Sequence, residues 1–377
     1  MPVALLHAYR AANRGDRWLV ELSRTLVADA AGCDPIIYAL DPHGMGPDTR
    51  QVLASPTRLR AAFAAGASTV PHLQPVARTV AQLPAPDDLD AVIGIGGGYL
   101  RSNDPVHELV FRAHHLPQLQ LIAQLGARGA YLPVSVGPFR RGLGRVVRRT
   151  LGEVAWVAVR DDRSARYLGG WARTRRAPDL GACWIGRTRP ALAPGDPGVA
   201  GIALRALRGT SLGVDTIEAL TLRGVKTRFG LQSDHGRTND DRAFYAAAGI
   251  TDAVGFGELL ATEPRPGVML AGRLHAALEA IAAGIPTIHL GYERKSFGAY
   301  ADLGLPDHVV DPWTTTADDL ADRIEALAAD PEPYWAALTD RFGALEQSWN
   351  DLGEAVHQLV SRRGPDPVRR PTRSHLP

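Results

Sequence analysis

The sequence predicts an α/β protein of two doubly wound domains that face a cleft, followed by a long C-terminal helix. Three observations lead to this fold class. Short apolar runs alternate with helical patterns, the alternation restarts after a proline-rich stretch at 186–198, and large apolar residues recur at helical spacing over 333–362. We therefore divide the chain into a first domain, a linker, a second domain and a helical segment that packs back on the first domain, at 1–185, 186–198, 199–330 and 331–362.

Composition limits the partners that we expect. The sequence has 42 Lys and Arg residues against 40 Asp and Glu residues, so we expect no nucleic acid partner. The N-terminus has no basic leader, and nowhere do about 18 apolar residues run together, which favours a cytoplasmic protein. Cys33 and Cys183 lie far apart, so no disulfide framework is predicted. Prolines among Arg and His residues predict a disordered tail at 363–377.

Polar residues follow the first predicted strand. Residues 3–7 form an apolar run, and a helical pattern begins at Trp18. Asn13 and Asp16 lie between these two elements. Asp16 is either the N-cap of the helix or, with Asn13, a cleft residue at the carboxyl end of the strand. Both interpretations stay open at this point.

A glycine-rich turn follows the buried run at 90–95. It consists of Gly96, Gly97, Gly98 and Tyr99. A dinucleotide-binding fingerprint would need glycine where Tyr99 stands, so that fingerprint is absent. The glycines indicate either a tight turn with positive φ or the close approach of a ligand to the backbone.

Cations follow two further apolar runs. Arg160 and Arg163 come after the run at 154–159, and Arg205 ends the run at 199–204. Because ligands bind at the carboxyl ends of parallel strands, we expect these three side chains to face the cleft.

The segment 267–290 is the most informative part of the second domain. It reads as strand, helix and strand, and it places Arg273 and His275 in the first turn of the helix. The free N–H groups at a helix N-terminus attract anions, and a nearby arginine adds a fork for phosphate or carboxylate. Glu279 lies one turn further along the helix, where a carboxylate would favour protonated His275. A purely structural interpretation of each residue also stays open. In it, His275 forms its hydrogen bonds within its own helix turn, and Lys295, which follows the second strand, is an ordinary surface residue.

Several short motifs occur in a recognisable order over roughly residues 3–325. They are Asn13-x-Gly15-Asp16, Ile95 to Tyr99, Val136-Gly137-Pro138, Val159 to Ser164, Pro178-Asp179, Ile202 to Arg205, Arg273-Leu274-His275, Gly284-Ile285-Pro286 and Tyr292-x-x-Lys295. No single motif is specific, but the ordered set resembles the polysaccharide pyruvyl transferase family. The resemblance implies a GT-B-like fold of two Rossmann-like domains.

The activity that this resemblance implies is transfer of a pyruvyl group. Phosphoenolpyruvate would be the donor, and two hydroxyl groups of a sugar would form a cyclic ketal with release of phosphate. The acceptor would be a glycan of the cell envelope or its lipid-linked precursor, which brings the protein near a membrane but not across it. We expect no further cofactor and no metal. The segments 43–70 and 101–104 match no family motif, so the acceptor's identity stays open.

The residues suit this chemistry in separate roles. Phosphoenolpyruvate carries a phosphate and a carboxylate, for which Arg205, Arg273 and Lys295 are the candidate cations. Ketal formation requires a proton donor and a proton acceptor. We expect His275 to be the acid, with Glu279 as its partner and Glu293 as the next candidate. The expected acceptor and cleft residues are Asn13, Asp16, Gly96, Gly97, Gly98, Tyr99, Arg160 and Arg163.

Pyruvyl transfer has three alternatives. A GT-B glycosyltransferase that uses a nucleotide sugar would share the fold and the cleft, and it would release a nucleoside diphosphate instead of phosphate. The presence of Arg273, His275 and Lys295 counts against a non-catalytic glycan-binding relative. A metal-dependent hydrolase is disfavoured, because no His, Asp or Glu residues have the spacing of metal ligands.

Overall fold

The computed structural model describes residues 2–10, 13–52, 66, 77–79, 81–140, 142–169, 173–192, 195–233 and 240–362. Two parallel sheets form in this part of the chain, one in each half. The predicted fold class, two parallel-sheet α/β domains, is confirmed. The predicted disordered tail at 363–377 lies outside the described residues.

The first sheet has eight described strands, all parallel to their neighbours. β1, β4 and β6 lie at its centre, β5 pairs with β6, and the path runs β3-β2-β1-β4-β6-β7-β8. Their bounds are β1 Val3–Arg10, β2 Ile36–Asp41, β3 Thr49–Gln51, β4 Ala91–Gly94, β5 Gly97–Ser102, β6 Gly129–Phe139, β7 Trp156–Val159 and β8 Thr174–Arg176.

Helices cover both faces of the first sheet. Two separate apolar clusters, one containing Leu119 and Val147 and the other Leu22 and Val356, pack on opposite faces. The described helices of this half are α1 Arg14–Ala31, α2 Pro105–Val110, α3 Leu116–Gln124, α4 Leu143–Leu151, α5 Asp162–Leu168 and α6 Leu180–Thr188. A π-helical turn, Phe111–His115, joins α2 to α3, and 3-10 turns occupy Pro86–Asp88 and Gly126–Arg128.

The second sheet has six described strands in the order β11-β10-β9-β12-β13-β14, again all parallel. They are β9 Asp196–Ala203, β10 Lys226–Leu231, β11 Val254–Gly255, β12 Pro266–Ala271, β13 Thr287–Leu290 and β14 Val309–Val310. The helices are α7 Leu212–Leu222, α8 Asp241–Ala247, α9 Phe256–Ala261, α10 Leu274–Ala282, α11 Arg294–Asp302, α12 Ala317–Ala329, α13 Glu332–Thr339 and α14 Phe342–Ser361, with a 3-10 turn at Pro306–His308.

The predicted linker at 186–198 is shorter in the structure. Helix α6 continues to Thr188, and β9 already begins at Asp196. Gly186, which looked like the start of a linker, lies where α6 crosses α14, and a Cβ at this position would collide with Leu345. A glycine at a helix crossing permits close approach of the two backbones. The sequence pattern alone does not separate this use of glycine from a flexible turn.

The single long helix predicted over 333–362 is two helices in the structure. The chain turns between α13 and α14, where the N–H group of Arg341 donates to the carbonyl of Leu338, only three residues back, at 2.9 Å. The Arg341 guanidinium holds the carbonyl of Asp302 at 3.1 Å, which fixes the turn. α14 then packs on α1 and α6 of the first domain. No helix in the described part of the chain is long and apolar enough to cross a bilayer.

Candidate active site

The two sheets direct their carboxyl ends toward a shared cavity of about 310 Å³. Local sequence explains this placement, because each wall is built from turns that follow a parallel strand. Most of the predicted site residues line it. Those from the first domain are Asn13, Asp16, Gly96, Gly97, Gly98 and Tyr99, and those from the second domain are Arg205, Arg273, His275, Glu293 and Lys295.

Arg273 is held at the N-terminus of α10 by a buried carboxylate. Its Nη2 donates to Oδ1 of Asp241 at 2.5 Å, while Oδ2 of Asp241 accepts the N–H groups of Gln232 at 3.1 Å and Ser233 at 2.9 Å. Burial lowers the pKa of Arg273, and although Asp241 opposes this effect, the nearby Arg205 adds to it. The N-cap residue of α10, Arg273, makes no capping hydrogen bond with its side chain. The free N–H groups of the helix and two crowded guanidinium groups therefore make this wall favourable for an anion.

His275 packs directly against the start of α1. A Cβ on Gly15 would lie 2.8 Å from the Cβ of His275, so only glycine fits there. Nε2 of His275 is 3.7 Å from Oδ2 of Asp179, longer than a hydrogen bond. This buried nitrogen has no hydrogen-bond partner among the residues that the structure describes.

Asp16 faces the cavity because Asn13 takes the capping role. The Asn13 side chain accepts the N–H group of Gly15 at 3.2 Å, and its Nδ2 donates to Oδ2 of Asp16 at 2.9 Å. Burial raises the pKa of Asp16, although His275, Lys295 and Arg273 act against this effect. A carboxylate with a raised pKa in a cleft is a candidate proton acceptor.

The surroundings of Glu293 do not favour its predicted role as a proton donor. Its carboxylate is 2.7 Å from Nζ of Lys295 and accepts from Nη1 of Arg101 at 3.0 Å. Burial acts to raise the pKa of Glu293, but Lys295 and then Arg101 outweigh it and lower the pKa to about 2. Glu293 is therefore ionised at neutral pH. Lys295 lines the cavity, and its ammonium group forms an ion pair with this carboxylate.

Glu279 also differs from its predicted role as the partner of His275. It does not line the cavity, and its Oε1 accepts from Nε of Arg14 at 2.8 Å. Burial raises the pKa of Glu279, and Arg14 opposes this change. Since Arg14 belongs to the first domain and Glu279 to the second, the pair joins the two domains beside the cleft.

Arg160 lies beneath the cavity in a buried ion pair. Its side chain is 1% exposed, as is that of Asp179, and its Nη1 donates to Oδ2 of Asp179 at 2.5 Å. Nε donates to Oγ of Ser135 at 3.0 Å. Burial acts to raise the pKa of Asp179, but Arg160 and then His275 outweigh it and hold that pKa well below its usual range. Nη2 of Arg160 has no partner within the described part of the chain.

Arg163 lines a second cavity of about 270 Å³ that adjoins the first. The two cavities share Gly98, Arg101, Glu293 and Lys295. Arg163 is exposed and forms no ion pair with a described residue. The structure thus places Arg160 and Arg163 next to the first cavity rather than in its wall.

Glycine occupies the three positions after β4 for different structural reasons. A Cβ on Gly96 would lie 2.8 Å from the carbonyl oxygen of Pro133, so this residue allows close backbone packing. Gly97 has a φ of 145°, which favours glycine. A Cβ on Gly98 would lie 3.2 Å from Nη2 of Arg160. Of the two interpretations of this turn, backbone geometry accounts for Gly96 and Gly97, and only Gly98 opens space beside a charged group.

The first domain also contributes an aromatic wall, which the sequence pattern did not predict. His7, Tyr9, Phe111 and His115 line the cavity with Tyr99. The rings of His7 and Tyr99 stack at 4.5 Å, and Nε2 of His7 is 2.9 Å from the hydroxyl of Tyr131. Burial lowers the pKa of both histidines, that of His115 to about 3, so their rings are neutral.

His7 also has a φ of 72° inside a strand. A residue other than glycine in this region costs about 1–3 kcal/mol, and such strain is found most often at functional sites. The only sequence signal was a histidine at the carboxyl end of an apolar run.

Among the described residues, no group of three or more His, Cys, Asp or Glu side chains could hold a metal ion. No family model matches the chain, and no curated protein is similar to it in sequence. The resemblance to the polysaccharide pyruvyl transferase family therefore stays a prediction.

Solved structures are similar over nearly the whole chain. A UDP-N-acetylglucosamine 2-epimerase from Rickettsia bellii has a TM-score of 0.55 at 10% identity, covering 96% of this chain and 97% of that one. The UDP-GlcNAc 2-epimerase from Neisseria meningitidis bound to UDP-GlcNAc has a TM-score of 0.50 at 12% identity, covering 95% and 100%. LpCGTa in complex with UDP has a TM-score of 0.50 at 12% identity, covering 96% and 99%. At these identities the likeness establishes a GT-B-like fold.

The predicted transfer of a pyruvyl group from phosphoenolpyruvate is wrong. The similar structures named above are sugar-nucleotide epimerases and a UDP complex, and none of them is a pyruvyl transferase. The geometry gives a physical reason for the mistake. Cations beside a helix N-terminus suit any phosphate group, so Arg205, Arg273 and Lys295 do not by themselves distinguish phosphoenolpyruvate from a nucleoside diphosphate.

We expect the substitution Asp179→Asn to lower the free energy of unfolding by about 3–5 kcal/mol, because it leaves the buried charge of Arg160 unpaired. The matched control is Glu21→Gln, which breaks an exposed pair with Arg17 and should cost less than about 1 kcal/mol. Urea denaturation at neutral pH measures both values. If both variants lost less than about 1 kcal/mol of unfolding free energy, the buried pair would be unimportant for stability.

Proposed function

We propose that the protein is an enzyme that transfers the sugar of a nucleoside diphosphate sugar to a hydroxyl group of an acceptor and releases the nucleoside diphosphate. The observation that carries this proposal is the cationic wall of the cleft. Arg205, Arg273 and Lys295 line it together with the N-terminus of α10, whose N-cap residue makes no side-chain capping bond. The GT-B-like fold supports the proposal, because UDP or UDP-GlcNAc is bound in two of the similar structures.

The wall has the properties that a diphosphate requires. Helix N–H groups bind phosphate oxygens, and arginine forks give paired hydrogen bonds to them. Asp241 fixes the position of Arg273 before any ligand arrives. Because Arg273 and Arg205 already repel one another, an anion between them is stabilised by both. The same charges would stabilise the diphosphate as it leaves with the electron pair of the broken bond.

The size and arrangement of the cavities favour two substrates. The first cavity, of about 310 Å³, has a cationic wall from the second domain and an aromatic wall from the first. The second cavity opens beside it and provides about 270 Å³ more. A donor against the cationic wall leaves the first-domain side for a sugar or glycan acceptor. An enzyme that only rearranged its nucleotide sugar would need no such second compartment.

Asp16 is the best-placed proton acceptor for the transfer. It lines the cavity from the first domain, opposite the proposed donor wall, and its pKa is raised. In the proposed step the acceptor oxygen forms a bond to the sugar carbon, the bond from that carbon to the diphosphate oxygen breaks, and the acceptor proton passes to Asp16. His275 lies in the first turn of α10, lines the same cavity as Asp16 and can donate to the diphosphate. We expect no further cofactor.

The proposal is tested by incubating the purified protein with UDP-, TDP- and GDP-linked sugars and a panel of sugar and glycan acceptors. Mass spectrometry should show an acceptor that has gained one sugar, with one nucleoside diphosphate released per transfer. Interconversion of the nucleotide sugar without nucleotide release would instead indicate an epimerase. Binding of glycans without any turnover would indicate a non-catalytic relative, and either result would contradict the proposal.

We expect Asp16→Asn to lower kcat by about 10²–10⁴-fold, the usual loss for a general base. Only the deprotonated carboxylate is active, so in the wild type kcat should fall as the pH is lowered through the raised pKa of Asp16. This acid limb should lie above the ordinary aspartate value of about 3.9. Initial rates from pH 4 to pH 9 measure the limb, and Glu21→Gln on the outer face of α1 is the control. An unchanged limb in Asp16→Asn would assign the base to another residue.

A further inference from the structure

The second cavity has the chemistry of a phosphate site. Four cations line it, with a single carboxylate, Glu293, among them. Arg294 is fixed in this wall, since its Nη2 donates to the carbonyl of Gly137 at 2.7 Å and its Nε lies 3.6 Å from Oδ1 of Asp161. The cations of the wall are Arg101, Arg163, Arg294 and Lys295.

Gly98, which lines both cavities, leaves space beside a buried donor. A Cβ on Gly98 would lie 3.2 Å from Nη2 of Arg160 and 3.8 Å from Nζ of Lys295. Arg160 is 2% exposed, and this nitrogen has no partner among the described residues. An oxygen atom placed beside Gly98 would therefore lie within hydrogen-bond distance of Arg160 and close to Lys295. Buried donors are normally paired, so this one indicates a ligand.

The charges around the cavity match a dianion. The four wall cations and Arg160 face three carboxylates, Glu293, Asp161 and Asp179, which leaves an excess of two positive charges. Burial lowers the pKa of Arg294, and although Asp161 opposes this effect, Arg163, Arg101 and Arg160 add to it. A phosphate monoester carries nearly two negative charges at neutral pH, whereas a carboxylate carries one. A bound phosphate therefore reduces the repulsion among these arginines more than a bound carboxylate does.

We propose, on the basis of the function proposed above, that the second cavity binds a phosphate group carried by the acceptor. The shared lining residues, Gly98, Arg101, Glu293 and Lys295, place this cavity next to the proposed donor site. One acceptor molecule can thus have its phosphate beside Gly98 while its hydroxyl group reaches the first cavity. The substrate class that follows is a phosphorylated acceptor rather than a neutral sugar.

The test is calorimetric titration of the full chain with inorganic phosphate at low salt. Arg163→Ser should weaken phosphate binding at least tenfold, because Arg163 is a cation that lines the second cavity and not the first. The matched control is Arg166→Ser, one turn further along α5, which is exposed and lines neither cavity. Gly98→Ala keeps every charge and fills the space beside Arg160, and it should also weaken binding at least tenfold. Affinities within twofold of the wild type in both variants would overturn the proposal.

A second series separates this cavity from the proposed donor site. In an Arg273→Ala background, the effect of Arg163→Ser on phosphate binding should persist. Its disappearance would mean that the phosphate is bound at α10, which contradicts the proposal. Because no nucleotide is present in these titrations, they succeed or fail independently of the sugar-transfer assay. Acetate should bind at least tenfold more weakly than phosphate, and equal affinity would contradict the choice of phosphate.

The source of the phosphate group is distinguished by competition. Displacement of inorganic phosphate by glucose 6-phosphate, but not by glucose, would support a soluble phosphorylated acceptor. Displacement by vesicles that contain phosphatidic acid would support a lipid-borne phosphate. Failure of both competitors would contradict a site for a phosphate ester.

Discussion

The buried pair between Arg160 and Asp179 is the interaction on which the rest of the cleft depends. Two charges removed from water are tolerated only when their hydrogen bonds are satisfied. Arg160 follows β7, bonds Ser135 of β6 and holds Asp179, which in turn caps α6 through the N–H group of Gly181 at 3.0 Å. This network therefore ties two strands and a helix together below the cavity. It leaves Nη2 of Arg160 beside Gly98, and Oδ2 of Asp179, which accepts from Arg160, lies 3.7 Å from Nε2 of His275.

Helix α6, which Asp179 caps, connects this hydrogen-bond network to both domains. Gly181 of α6 packs between Trp18 of α1 and Leu278 of α10. A Cβ at Gly181 would lie 2.7 Å from Cζ3 of Trp18 and 3.1 Å from Cδ1 of Leu278. Further links lie beside the cleft, where Arg14 pairs with Glu279 and donates its N–H group to the carbonyl of Gln232 at 3.1 Å. The relative position of the two walls is thus set by residues next to the site. A donor wall and an acceptor wall on separate domains need such a connection to keep their reacting groups aligned.

Local patterns were sufficient for the fold and for much of the cavity lining. The strand, helix and strand at 267–290 placed Arg273 and His275 at a helix N-terminus, because periodicity and the parallel-sheet rule are both local signals. The errors arose from partners distant in sequence. Arg14 is 265 positions from Glu279, and Arg101 is 192 positions from Glu293. Neither the ion pair of Glu279 nor the ionised state of Glu293 could be predicted from their neighbours in the sequence. The donor substrate was misassigned for another reason, because residue types alone do not distinguish one phosphate ligand from another.

The proposed function requires the cationic wall at α10 to bind the diphosphate of a nucleotide sugar. Calorimetric titration of the wild type with UDP, TDP, GDP and phosphoenolpyruvate measures this binding most directly. We expect at least one nucleoside diphosphate to bind ten times more tightly than phosphoenolpyruvate, and Arg273→Gln to weaken that binding at least tenfold, a change of about 1.4 kcal/mol or more. Tighter binding of phosphoenolpyruvate, or nucleotide affinity unchanged in Arg273→Gln, would contradict the account.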